Sequence, residues 1–214
     1  MLIGKMMRGV FGEGDKAEKA GSTGASSGNR AAAGMSAMIS DEYRHMQEQL
    51  HQDPDYGVAS LKYAPMVARV IKTVGAQELL DYGAGKGRLG VALKEHLNQE
   101  LNIRHYDPAI PAWSAPPAPC NFVACIDVLE HIEPDLLEAV LDDLQRVTAR
   151  VGIFSVHTGA ARRILPDGRN AHLIQKPAAW WMPQIFDRFE LMSFDRMPAG
   201  FWVVVERRQG APQG

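Results

Sequence analysis

Four glycines set between a strand-like run and a helix-like one constrain this chain more than any other feature. They occur in Leu80-Asp81-Tyr82-Gly83-Ala84-Gly85-Lys86-Gly87-Arg88-Leu89-Gly90. Residues 77–82 (QELLDY) precede them as a short strand-like run, and Leu89, Leu93 and Leu97 follow on one helical stripe over 88–97. In an open α/β sheet, ligands bind beyond the carboxyl ends of the strands. Glycine at such an end lets the backbone turn tightly and approach a ligand with no Cβ in the way.

The pattern repeats along the chain. Val67, Val70, Ile71 and Val74 mark an amphipathic helix before the first strand. Residues 102–106 read as a second strand, and the wholly apolar run at 122–126 (FVACI) as a third, covered on both faces. A helix from about Pro134 buries Leu137, Val140, Leu141 and Leu144, and proline suits its first turn, where the missing N–H is no loss. Residues 151–156 form another buried strand. Residues 190–194 and 201–206 make a closing antiparallel pair. Strand–helix alternation with apolar strands predicts an α/β sandwich built on a mainly parallel sheet with an antiparallel closing strand.

Composition sorts the ends from the middle. Between Gly12 and Ser36, 16 of 25 residues are Gly, Ala or Ser and only Met35 is large and apolar. Nothing there offsets the entropy of ordering the backbone, so residues 1–37 read as a flexible low-complexity extension, 38–208 as one domain and 209–214 as a tail. With 23 basic against 25 acidic residues, a net charge of -2, the chain has no electrostatic signature for nucleic acid or an anionic membrane. Its two cysteines, Cys120 and Cys125, exclude a disulfide framework. Apolar runs break well before the roughly 18 residues of a membrane span, and Met1 to Val10 lack a signal-peptide apolar stretch, so a cytoplasmic location is expected.

Three ligands compete for the glycine loop. A P-loop requires Gly-Lys-Ser/Thr, whereas Lys86 is followed by Gly87. A dinucleotide fingerprint fits Gly85-x-Gly87-x-x-Gly90, with Asp107 as ribose partner, and would make the chain an NAD(P)-dependent oxidoreductase. That frame requires the strand to run on to Ala84. The third frame, Asp81-x-Gly83-x-Gly85-x-Gly87, resembles motif I of the class I S-adenosylmethionine-dependent methyltransferases. Asp107, in Tyr106-Asp107-Pro108, is similar to that family's acidic residue ending strand two, and residues 122–132 (FVACIDVLEHI) to its fourth-strand motif.

The resemblance covers about residues 77–156 and implies a Rossmann-like methyltransferase sandwich with S-adenosylmethionine as cofactor. It implies that Asp107 accepts the ribose hydroxyls, that Gly83, Gly85 and Gly87 shape the loop, and that Asp81 holds it and faces the cofactor's amine through water. Asp127 joins the cofactor set. A sulfonium cofactor carries no phosphate, which suits small residues and free amides better than a lysine fork. The chain departs from the family between Asp107 and Phe122, where the intervening stretch holds Pro108, Pro111, Pro116, Pro117 and Pro119. Those prolines forbid a full helix, so the third-strand region is shortened or missing, and Trp113 or Ile110 is expected to cover the adenine face.

Methyl transfer is an in-line displacement, so the enzyme aligns a nucleophile and removes a proton where needed. His157 is the first choice for general base, because imidazole titrates near neutral pH, and His131 is the second. Asp127-x-x-Glu130-His131 is also similar to a motif that helps bind a divalent metal in small-RNA 2′-O-methyltransferases and some quinone O-methyltransferases. A hard ion would accept the carboxylates, with His157 or His172 completing the set, but V-L-E-H occurs in metal-free relatives too, and no metal is assigned from the sequence. Residues 167–172 with Trp180 and Trp181 read either as a lid over a small acceptor or as a surface turn beside core tryptophans. Residues 43–60 are expected to cover the cofactor pocket, as such segments do in the family. The expected partner is a small-molecule acceptor; a non-catalytic cofactor-fold binding protein is a further reading. The sequence leaves the oligomeric state open.

Overall fold

The computed structural model describes residues 38–53 and 55–208. The extension read over 1–37 and the tail at 209–214 lie outside the described residues, as does Pro54.

Helix α1 (Asp41–Leu50) starts at Ser40, whose hydroxyl accepts the Tyr43 N–H at 3.1 Å, with Asp41 and Glu42 at the positive end of the helix. Helix α2 (Ala59–Val74) buries Val67, Val70, Ile71 and Val74, the predicted stripe. Strand β1 (Glu78–Tyr82) leads through the glycine loop into α3 (Arg88–Leu93). That helix is shorter than the predicted 88–97. The N–H groups of Lys94, Glu95 and His96 bond three residues back, to Val91, Ala92 and Leu93, a tightened last turn that still buries Leu97.

Strand β2 (Asn102–Tyr106) is followed by a single 3₁₀ turn, Pro111–Trp113, and then directly by β3 (Cys120–Ile126). No strand forms between them, in line with the proline-rich sequence there. A 3₁₀ turn at Pro134–Leu136 opens α4 (Leu137–Val147), which leads to β4 (Thr148–His157). Helix α5 (Ala178–Phe186), β5 (Phe189–Met197) and β6 (Gly200–Arg207) complete the described chain.

The six strands form one sheet in the order β2-β1-β3-β4-β6-β5. The pairs β1·β2, β1·β3 and β3·β4 are parallel, while β4·β6 and β5·β6 are antiparallel. Alternation along the strands sends Leu80, Tyr82, Val123, Cys125, Phe154 and Val203 into a core shared with Leu141 of α4 and Trp181 of α5. The other face meets α2, where the Arg69 guanidinium lies 5.8 Å from the Trp202 ring centre. Both cysteines are free and buried in β3. No helix among the described residues is long and apolar enough to cross a membrane.

From β1 the chain moves outward to β2, then returns past β1 to β3. That reversal makes the carboxyl ends of β1 and β3 the topological switch point of the sheet, the place where such folds open a crevice.

Candidate active site

The glycine loop is fastened to the end of β2. The Gly83 and Ala84 amides donate to the Tyr106 carbonyl at 2.8 and 3.0 Å, and the Gly85 amide donates to Asp107 Oδ2 at 2.8 Å. Gly83 (φ +77°) and Gly85 (φ +52°) both occupy the left-handed region. A Cβ on Gly83 would stand 2.4 Å from Val128, and one on Gly85 would stand 3.0 Å from His51. Backbone conformation and close approach therefore both require glycine here.

The loop opens on a cavity of about 560 Å³, within the usual range for a small-molecule site. Asp81, Gly83, Gly85, Asp107, Asp127, His131 and His157, all singled out from the sequence, line it together. Gly87 does not. Its Cβ position faces Trp113 and His105 at 3.0 and 3.3 Å, so it serves the packing of the loop's outer side. Trp113 and Ile110 are not brought to the cavity either, against the expectation that one of them covers adenine. Trp113 stacks on His105, with ring centres 4.6 Å apart, and Pro108 and Ala109 line the cavity instead. Strand β1 ends at Tyr82 rather than running to Ala84, as the dinucleotide frame requires.

Asp81 is buried, and one carboxylate oxygen, Oδ2, lies 3.5 Å from His105 Nδ1 without a hydrogen bond. Burial raises its pKa, with His105 opposing. The Asp107 carboxylate accepts from the Gly85 amide through Oδ2 and from the Ala109 amide, at 2.9 Å, through Oδ1. Each oxygen retains a lone pair for a further donor. Asp127 ends β3 with φ +60°, and its amide donates to Ser155 Oγ at 3.0 Å.

Beyond Asp127, Glu130 lies in a 3₁₀ turn, and the imidazoles of His131, His157 and His172 cluster with one another near the strand ends. Glu130 is fully buried, and its Oε1 accepts the His157 amide at 2.5 Å while Oε2 has no partner. Burial first, and then the Asp127 charge, push its pKa far up. The His131 and His157 rings each stand 4.7 Å from the His172 ring. His131 Nδ1 contacts the Ala171 carbonyl at 2.8 Å, so that nitrogen carries the proton, and burial pushes the ring's pKa down to about 4. His172 belongs to the 167–172 stretch. Asp167 and Gly168 turn at the surface, while Ala171 and His172 line the cavity. Trp181 is fully buried, whereas Trp180 is exposed, so only one of the two expected core tryptophans is in the core.

Tyr43, Gln47, His51 and residues 55–60 line the cavity. Tyr43 Oη donates to the His131 carbonyl at 2.8 Å, and the Ser40 hydroxyl and amide donate to Glu133 at 2.6 and 2.8 Å. The Lys86 ammonium, on the glycine loop, donates to the Asp53 and Tyr56 carbonyls, and Arg163 pairs with Asp53 at 2.5 Å. Burial drives the Tyr56 hydroxyl up to about 12. Sequence reasoning missed His51, whose ring lies against Gly85 with Nδ1 buried and unpartnered, and Ser155, which anchors Asp127. His51 gives no local signal, whereas Ser155 could have been noticed from its place two residues before His157.

No family model matches the sequence, and a comparison with curated proteins gives no match. Solved structures do resemble the chain. The 1,6-didemethyltoxoflavin-N1-methyltransferase of Burkholderia thailandensis, crystallised with 1,6-didemethyltoxoflavin and S-adenosylhomocysteine, superposes with a TM-score of 0.57 at 15% identity over 84% of this chain and 94% of that one. Magnesium protoporphyrin IX methyltransferase from Synechocystis PCC 6803, with bound S-adenosylmethionine, gives 0.52 at 14% identity over 78% and 92%. Mitomycin 7-O-methyltransferase gives 0.57 at 13% identity over 76% of this chain and 60% of that one. The chain has the fold of the class I methyltransferases.

Proposed function

We propose that this chain is an S-adenosylmethionine-dependent methyltransferase acting on a small-molecule acceptor. The observation that carries the reading is Asp107. It closes the loop through the Gly85 amide and still presents carboxylate lone pairs to a cavity at the switch point. Two vicinal hydroxyls of a ribose match that acceptor pair. Gly83 and Gly85 leave the loop backbone without side chains, as the methionine end of the cofactor requires. Asp81, a carboxylate residue lining the cavity, is an acceptor for an ammonium.

When bound, the cofactor supplies an electrophilic methyl group on a sulfonium. The protein's part is to hold the acceptor in line with it and keep water out. Helix α1, His51 and residues 55–57 form one wall of the cavity, with Tyr43, His51 and Tyr56 lining it. His157 is assigned the acceptor's proton. It stands at the end of β4, its backbone fixed by Glu130 and its ring beside His172. His131 is held in one orientation by the Ala171 carbonyl and stays neutral, so it acts through a ring-nitrogen lone pair.

Calorimetric titration with S-adenosylhomocysteine, with NADH as comparator, tests the cofactor. We expect saturable binding of the former only, weakened about tenfold or more by Asp107→Asn, which keeps the residue's shape and removes its charge. NADH binding, or an unchanged affinity in the variant, would overturn the reading. With an acceptor found by screening against labelled cofactor, His157→Ala is expected to cut turnover while leaving S-adenosylhomocysteine affinity nearly intact.

A further inference from the structure

We propose that Asp127, Glu130 and His172 form a binding site for one divalent first-row transition cation. A carboxylate oxygen of Asp127, one of Glu130 and a ring nitrogen of His172 all lie within 4.8 Å of one another. Ligand atoms around a single ion at about 2.1 Å stand roughly 3 to 4.3 Å apart, so a closing movement of less than about 1 Å completes the set.

Proximity alone would be only an acidic cluster, but two independent details point to a ligand. Glu130 is fully buried, and its Oε2 has no hydrogen-bond partner although Oε1 is satisfied by the His157 amide. A buried carboxylate oxygen without a donor is costly unless a cation or a proton neutralises it. His172, in turn, is prepared as a ligand. Its Nδ1 lies 2.7 Å from the Gly159 carbonyl, which can only accept, so Nδ1 carries the proton and Nε2 presents its lone pair. A backbone carbonyl that fixes the tautomer and aim of an imidazole is the usual support of a metal-binding histidine. His131 is held in the same way by the Ala171 carbonyl and stands edge-on to the His172 ring.

The three groups come from separate places that only the fold unites. Asp127 is held at the end of β3 in a left-handed conformation tied to Ser155, Glu130 lies in the 3₁₀ turn that follows, and His172 arrives from the loop after β4. Two carboxylate oxygens and one imidazole favour Mn²⁺, Co²⁺ or Zn²⁺ over the harder Ca²⁺. Asp127 and His172 line the cavity, so an ion there is reached from it. The rival explanation is a single proton shared by Asp127 and Glu130.

The test uses the full chain, stripped with a chelator and titrated with Mn²⁺, free ion being followed by electron paramagnetic resonance. We expect saturation near one ion per chain. Asp127→Asn and His172→Ala are each expected to weaken binding about tenfold or more, with circular dichroism unchanged. Should His172→Ala fail to fold, His172→Gln keeps the side-chain bulk and reads the same loss. The absence of saturable uptake of Mn²⁺, Co²⁺ and Zn²⁺, or uptake unaltered by both variants, would overturn the site and leave the shared proton. Binding is read directly, so the outcome is independent of the methyl-transfer reading.

Discussion

Asp127 is the one non-glycine residue at positive φ among the described residues, and it stands at the carboxyl end of a central strand. For most L-residues that conformation costs roughly 1–2 kcal/mol, which Asp and Asn partly offset by local hydrogen bonding. Backbone strain and carboxylate function can therefore be separated here. Asp127→Gly should retain or slightly raise stability, and Asp127→Ala should lose about 1 kcal/mol in urea unfolding, while both lose the carboxylate equally. Equal stabilities would show that the backbone is not strained. Gly83→Ala is a sharper case, combining φ +77° with a Cβ 2.4 Å from Val128. We expect a loss of about 1–3 kcal/mol and weaker S-adenosylhomocysteine binding, because the loop must shift to relieve the contact. A variant as stable as the parent would refute the close approach.

At the scale of elements, α1 is attached to the site chiefly by side chains. Ser40 has two tasks: it caps α1 and reaches Glu133. Ser40→Ala removes the cap and that bond together, with an expected cost of about 1 kcal/mol and a faster release of S-adenosylhomocysteine. Unaltered release in stopped-flow displacement would argue against α1 as a cover. These contacts also mark how far the sequence could be read. Strands β1, β3 and β4 were legible because apolar runs such as residues 122–126 have both faces buried. The glycine loop was legible because glycine is obligatory where φ is positive. The absent strand before β3 was legible because prolines remove donors. The meeting of Glu130 with His172 was legible only as one of two options, His157 or His172, since the choice depends on how the chain after β4 folds back. The position of Trp113 was misjudged for a related reason. A single 3₁₀ turn swings it onto His105 instead of into the cavity, and no local pattern encodes that swing.

For the whole molecule, the distribution of burial predicts an uneven stability. Strands β3 and β4 lie between neighbours on both sides and contribute the fully buried Phe122, Phe154 and Val156, whereas β5 is an edge with Glu190 and Leu191 exposed. The segment 40–57 packs on one side only, through α1 and the contacts of Lys86, Arg163 and Tyr43. Local opening should therefore be cheapest in that segment and in β5, and amide exchange in β3 and β4 should approach the global unfolding limit. The cavity wall formed by this segment faces Gly85 and Asp107. A ligand filling the cavity adds contacts to the closed segment alone, so it must draw that equilibrium toward closure by its differential affinity. Hydrogen-exchange mass spectrometry with and without S-adenosylhomocysteine is then expected to show slower exchange over residues 40–57 and the glycine loop, with β5 unchanged. Uniform slowing across the sheet would instead indicate global stabilisation by mass action, and the segment would be a fixed wall rather than a cover that opens.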